Sequence, residues 1–187
     1  MSDSAKLFYK GQEFEFPVII GTENEPAIDI AKLRSDTGLI TIDSGFKNTG
    51  STTSSITFLD GEEGILRYRG YRIEDLAEKS SFMEVAYLLI YGDLPTQTQF
   101  EDFTKQITYH TLVHEDIKKI LDGFPSNAHP MGVLSSLICS LSAFYPDSLN
   151  PNSTPEEVNL SMIRLLAKMP TFAAWAYKNK MGHPVNY

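Results

Sequence analysis

A single cysteine, Cys139, occurs in the 187 residues, so no disulfide can close within the chain. That usage fits a reducing compartment. Basic residues are in the minority: 16 Lys and Arg stand against 24 Asp and Glu, for a net charge of −8. A chain of that sign repels nucleic acid and anionic membrane in bulk, so any anion binding has to come from a local cluster. No apolar stretch reaches the roughly 20 residues that a membrane-spanning helix needs. The opening residues, MSDSAKLFYKGQEF, hold no apolar core of the signal-peptide type. The expectation is a cytoplasmic protein with no nucleic-acid and no membrane partner. Repeats and low-complexity tracts are absent, as are a G-x-G-x-x-G, a P-loop and a G-x-S-x-G elbow. No nucleophile system is therefore in view.

What is present is a core-forming composition. Hydrophobic residues make up 42%, including 11 Phe and 9 Tyr, which argues against disorder. The first seventy residues differ from the rest. Leu7–Tyr9 and Phe14–Ile20 are β-prone runs around a Gly11 turn, and Leu39–Ile42 is a further strand candidate. Pro26–Arg34 holds one or two helical turns, ended near Gly38, and Ser44–Ser55 reads as a loop. Ile56–Leu59 and Ile65–Arg69 flank Asp60-Gly61-Glu62-Glu63-Gly64 as a hairpin.

Beyond Tyr71 the pattern turns helical. Ser81-Phe82-Met83-Glu84 and Thr96-Gln97-Thr98-Gln99 are capping boxes. Thr154-Pro155-Glu156-Glu157 joins a cap, a first-turn proline and two acids at the positive helix end. The spacing predicts helices near 73–79, 82–91, 97–121, 130–144 and 155–179. The fold class is mainly α: a small N-terminal β-rich region over 1–70, followed by a helical bundle over 71–187. The 130–144 helix has almost no polar face, only Ser135, Ser136, Ser140 and Ser142. It reads either as an ordinary central core helix or as one covered by further chain or a second subunit. Cys139 within it reads as a small buried hydrophobe.

Three clusters could carry chemistry. His110 and His114 lie four apart and could share a helix face for zinc. The metalloprotease pattern needs Glu directly after the first His, however, and Thr111 stands there. No metal site is expected. Arg67, Arg69 and Arg72 crowd around Tyr68 and Tyr71 and could hold a phosphate. The neighbouring Asp60, Glu62, Glu63, Glu74 and Asp75 favour structural ion pairing instead. Arg164 and Lys168 lie four apart, and no helical neighbour of theirs is a carboxylate. They serve either an external anion, with Tyr145 adding an aromatic face, or a solvated face and a distant acid.

Eight segments in order resemble the citrate synthase family. They are GTENEPAIDI at Gly21–Ile30, TIDSGFKNTGSTTSSITFLDGEEGIL at Thr41–Leu66, YRGYRIEDLAE at Tyr68–Glu78 and EVAYLLIYGDLPTQTQ at Glu84–Gln99. YHTLVHE at Tyr109–Glu115, HPMGVLSSL at His129–Leu137, AFYPDSL at Ala143–Leu149 and RLLAKMPTFAAWAYK at Arg164–Lys178 follow. The β-rich start is similar to the bacterial hexameric, NADH-regulated type. The resemblance implies an acyltransferase of the tricarboxylic acid cycle. It would condense acetyl-CoA with oxaloacetate and hydrolyse the thioester to citrate and CoA, with no tightly bound cofactor. It implies small-molecule substrates and a homo-oligomer, dimer or hexamer. Family members use two histidines and an aspartate. None of His110, His114, His129 or His183 sits in a matching motif, so no catalytic residue is assigned. The catalytic groups are expected beyond Tyr187, leaving this chain an inactive N-terminal fragment that serves subunit packing. The resemblance also implies an allosteric NADH site at His110, Thr111, Tyr145, Arg164 and Lys168. Tyr109 departs from the arginine typical of NADH-sensitive members. Two rival readings stand beside this one: 2-methylcitrate synthase, using propionyl-CoA, and a non-catalytic anion-binding or interaction module.

Overall fold

A computed structural model describes residues 3–185. The chain divides into two compact units, residues 1–55 and 56–187.

In the first unit, β1 (Ser4–Tyr9) pairs antiparallel with β2 (Gln12–Ile20), and β2 pairs with β3 (Pro26–Ile28). The register sets Tyr9 opposite Gln12, leaving Lys10 and Gly11 as a two-residue turn with φ of 51° and 77°. Both central residues are left-handed, the turn whose twist matches a hairpin. The helical turn expected after Pro26 begins later, because Pro26–Ile28 adds a strand to β2. The helix α1 (Leu33–Thr37) then stops at Gly38, whose φ of 76° is a left-handed cap. Leu39–Ile42, expected as a strand, forms none: among the described residues no neighbouring strand supplies the ladder that would make one. The Gly/Ser/Thr-rich loop is organised by Asp43. Its carboxylate accepts from the Asn48 N–H at 2.7 Å, the Lys47 N–H at 3.2 Å and the Thr49 hydroxyl at 2.8 Å.

The second unit opens with β4 (Thr57–Asp60), β5 (Ile65–Tyr68) and β6 (Tyr71–Arg72), an antiparallel sheet in that order. Arg69 and Gly70 form its second tight turn, with φ of 50° and 88°. The left-handed backbone at Arg69 is held by its own side chain, whose Nη2 donates to the Leu89 carbonyl at 3.0 Å. Helices follow: α2 (Ile73–Lys79), α3 (Phe82–Tyr91), α4 (Gln97–Tyr109), α5 (Asp116–Asp122), α6 (Pro130–Phe144) and α7 (Pro155–Met181). A 3-10 turn, Pro146–Leu149, lies between the last two. The three capping boxes read from the sequence all form, at Ser81/Glu84, Thr96/Gln99 and Thr154/Glu157. The expected helix over 97–121 is two helices, broken after Tyr109, with His110 as the α4 C-cap.

The core of this unit lies among α5, α6 and α7. Ile117, Leu121, Val133, Leu137, Leu141, Phe172, Trp175 and Ala176 are buried together with Val113 of the α4–α5 connection. Trp175 and Phe172 are fully buried, with ring centroids 6.3 Å apart. Only Val133, Leu137 and Leu141 of α6 are buried, and Met131 is 58% exposed. Cys139, expected inside, is exposed. It follows Leu137 by two positions, roughly 200° around a helix of 3.6 residues per turn, which turns it away from the α7-facing stripe.

The α3 cap gives a direct test. Ser81 accepts from the Glu84 N–H at 3.3 Å while Glu84 accepts from the Ser81 N–H at 2.6 Å. Ser81→Ala is expected to lower stability by about 1 kcal/mol. Chemical denaturation followed by circular dichroism measures it, and an unchanged midpoint would refute the cap's role.

Candidate anion-binding site

Three helix ends or faces meet around Lys168. The residue projects from the inner face of α7, one turn after Arg164, and is 1% exposed. Its Nζ donates to the main-chain carbonyl of His110 at the end of α4. Tyr145, the C-cap of α6, presents its ring to both cations. The Arg164 guanidinium lies 4.5 Å and the Lys168 Nζ 5.4 Å from the ring centroid. Stacking of this kind stabilises a cation with little competition from water.

Among the described residues no carboxylate pairs with Arg164 or Lys168. Arg164 Nε is buried and has no hydrogen-bond partner there. Burying a cation without a counter-charge is costly, so the two side chains hold more donor capacity than the chain itself uses. Burial, and then the Arg164 charge, hold the Lys168 amine below its ordinary pKa. Burial first, then Lys168, then Arg164 hold the His110 imidazole below its usual value. The chemistry assembled is that of an anion receptor: two cations without a carboxylate partner among the described residues, a tyrosine face and a neutral imidazole.

Four of the five residues singled out in the sequence thus come together: His110, Tyr145, Arg164 and Lys168. Thr111 follows His110 in the chain, but it is exposed and its hydroxyl donates to the Thr108 carbonyl at 2.9 Å. The His110 carbonyl is the partner that sequence reasoning missed, since a backbone acceptor carries no residue signature. Tyr109 is 72% exposed and lines a shallow groove of about 430 Å³ on α4, with the Lys105 Nζ 5.9 Å from its ring centroid.

The other candidates are occupied by structure. Arg69 holds the Leu89 carbonyl, Arg72 lies 3.6 Å from Glu74, and the Arg67 guanidinium lies 5.8 Å from the Phe58 ring centroid. His114 stacks on Phe144 at 4.7 Å, and its Nδ1 accepts from the Asp116 N–H. His129 caps α6 by accepting from the Met131 N–H. Among the described residues no group of three or more His, Cys, Asp and Glu could hold a metal ion. No helix there is long and apolar enough to cross a membrane.

The family described as "Citrate synthase, C-terminal domain" matches residues 45–187. The chain belongs to the citrate synthase family. It is 53% identical over 185 residues to citrate synthase 1 of Mycobacterium tuberculosis, covering 99% of this chain and 43% of that protein. It therefore spans less than half the length of such curated citrate synthases. The citrate synthase structure from Pyrobaculum aerophilum matches 91% of this chain and 40% of that one, with a TM-score of 0.67 and 30% identity. The citrate synthase from Thermotoga maritima matches 79% of this chain and 37% of its own, with a TM-score of 0.65 and 32% identity. The enzyme from Thermoplasma acidophilum, solved as a ternary complex with carboxymethyl coenzyme A and oxaloacetate, shares the fold at TM-score 0.69 and 19% identity.

The depressed His110 pKa fixes the sign of a pH effect. The unfolded chain takes up a proton at about pH 6.5, whereas the folded chain resists it. Native stability therefore falls as pH drops from about 6.5, and the penalty is complete below the folded-state pKa. His110→Asn is expected to keep more of its neutral-pH stability at about pH 5 than the wild type does. Urea midpoints measured across that range check it, and parallel pH profiles would refute it.

Proposed function

We propose that this chain serves a citrate synthase that condenses acetyl-CoA with oxaloacetate and releases citrate and CoA. We further propose that the Arg164–Lys168–Tyr145–His110 cluster binds NADH as an allosteric inhibitor. The first reading rests on family membership along most of the chain. The second rests on one observation above all: two cations, one of them fully buried, stand together without a carboxylate partner among the described residues. A dinucleotide's pyrophosphate supplies the missing charge, and the Tyr145 ring offers it an aromatic wall. No residue of the chain is assigned to the condensation chemistry. The protein is proposed to act in the cytoplasm as a homo-oligomer.

Thiol release from acetyl-CoA with oxaloacetate, measured on the whole protein with propionyl-CoA in parallel, tests the first reading. Faster release with acetyl-CoA is expected. Faster release with propionyl-CoA would move the assignment to methylcitrate synthesis, and no release with either would sink the enzymatic reading.

Inhibition by NADH tests the second. Arg164→Ala is expected to raise the inhibition constant by roughly 10- to 100-fold, the factor for losing one charged hydrogen-bond partner. Tyr109→Arg adds a cation beside His110 and is expected to lower it by about tenfold at low salt. Wild-type activity indifferent to NADH would refute the regulatory reading outright.

A further inference from the structure

Lys168 stands where an ordinary surface lysine does not. It donates to the carbonyl of His110, 58 positions away in the chain. His110 closes α4, its own N–H turning back to the Ile107 and Thr108 carbonyls. A helix end carries a negative partial charge, and no basic residue lies in the last turn of α4. Lys168 is the cation that serves that end, and it comes from α7. One turn earlier on α7, Arg164 Nε is buried without a hydrogen-bond partner among the described residues. The cap of α4 and half of the positive charge of the candidate anion site thus come from one ammonium group.

We infer that Lys168 is a donor shared between the end of α4 and a phosphate-bearing ligand: a ligand held by Arg164 draws the ammonium off the His110 carbonyl and opens the last turn of α4. The inference rests on reading the cluster as a nucleotide site and adds the route by which occupancy is passed on. Both bonds have the ionised ammonium as donor, but a phosphate oxygen carries full negative charge where the carbonyl carries only a partial one, so the Coulomb attraction favours the ligand and sets the direction of the exchange. The extent is set by burial. Leu112 is 70% exposed and offers no anchor, whereas Val113 is 5% exposed and belongs to the core with Ile117. The opening therefore runs from the last turn of α4 through Leu112 and stops at Val113.

Hydrogen–deuterium exchange read by mass spectrometry on the full chain tests this, with NADH and, separately, inorganic pyrophosphate as ligands and binding checked by calorimetry. At saturation, peptides spanning 105–112 are expected to exchange about tenfold faster, the factor for losing one ordinary hydrogen bond, while α6 peptides stay unchanged. Arg164→Gln leaves the Lys168–His110 bond in place, so its ligand-free exchange should match wild type and its ligand response should vanish. Lys168→Met should exchange fast with or without ligand; if it fails to fold, Arg164→Gln decides alone. Bound ligand with unchanged or slower exchange at 105–112 overturns the inference. Binding and faster exchange with pyrophosphate but not NADH would uphold the inference and refute the dinucleotide reading. Binding of neither ligand overturns both.

Discussion

The inner face of α7 carries Ile163, Ala167, Phe172, Trp175 and Ala176, and the same face carries Lys168. An apolar stripe that long drives burial; an ammonium group within it opposes burial unless an acceptor and a polarisable wall are supplied. The chain supplies both from elsewhere. Phe172, Trp175 and Ala176 draw in α5 and α6, whose Ile117, Leu121, Val133, Leu137 and Leu141 complete the core. The need of Lys168 for an acceptor draws in the end of α4, and Tyr145 at the end of α6 closes the site. Core and candidate site are therefore two outcomes of how one helix is covered.

Elements whose signals are local were legible in the sequence. Ser81, Thr96 and Thr154 each announce a helix start with a reciprocal Glu or Gln three residues on, and each forms that box. Helix α7 runs through Pro170 to Met181 because its flanking turns and buried face outweigh one missing N–H. The break between α4 and α5 was not legible. No Gly or Pro marks it, and Thr108–His114 continues a tolerable helical pattern. What accompanies the end of α4 is a bond from Lys168, far along the chain and invisible to any local window. Leu39–Ile42 failed for the complementary reason: β-prone residues make a strand only where a partner edge exists.

For the candidate site, spacing served well as far as it went. Arg164 and Lys168 could be paired at one helical turn, and the lack of a nearby carboxylate could be read directly. That the two differ in character could not. Lys168 is fully buried while Arg164 is half-buried, a difference set by how α4 and α6 cover α7. The arginines at 67, 69 and 72 show the limit from the other side. Their clustering suggests an anion patch, yet Arg69 holds the Leu89 carbonyl and Arg72 lies beside Glu74. A charge pattern marks possible anion sites; whether its donors are already spent is settled only in three dimensions.

Gathering two cations at helix ends has an energetic consequence. A pocket lined by side chains of one rigid face can bind without altering its surroundings. Here folding has already brought two like charges together, at a cost visible in the depressed Lys168 pKa, whose causes are burial and Arg164. An anion held there, as proposed, would relieve that cost, so part of its affinity would come from the free chain rather than from new contacts alone. On the proposed exchange, linkage would make the relation reciprocal: whatever fastens the end of α4 to Lys168 would lower anion affinity, and whatever loosens it would raise that affinity. That is the physical ground on which the proposed regulatory role stands: the two cations are held by the arrangement of α4, α6 and α7.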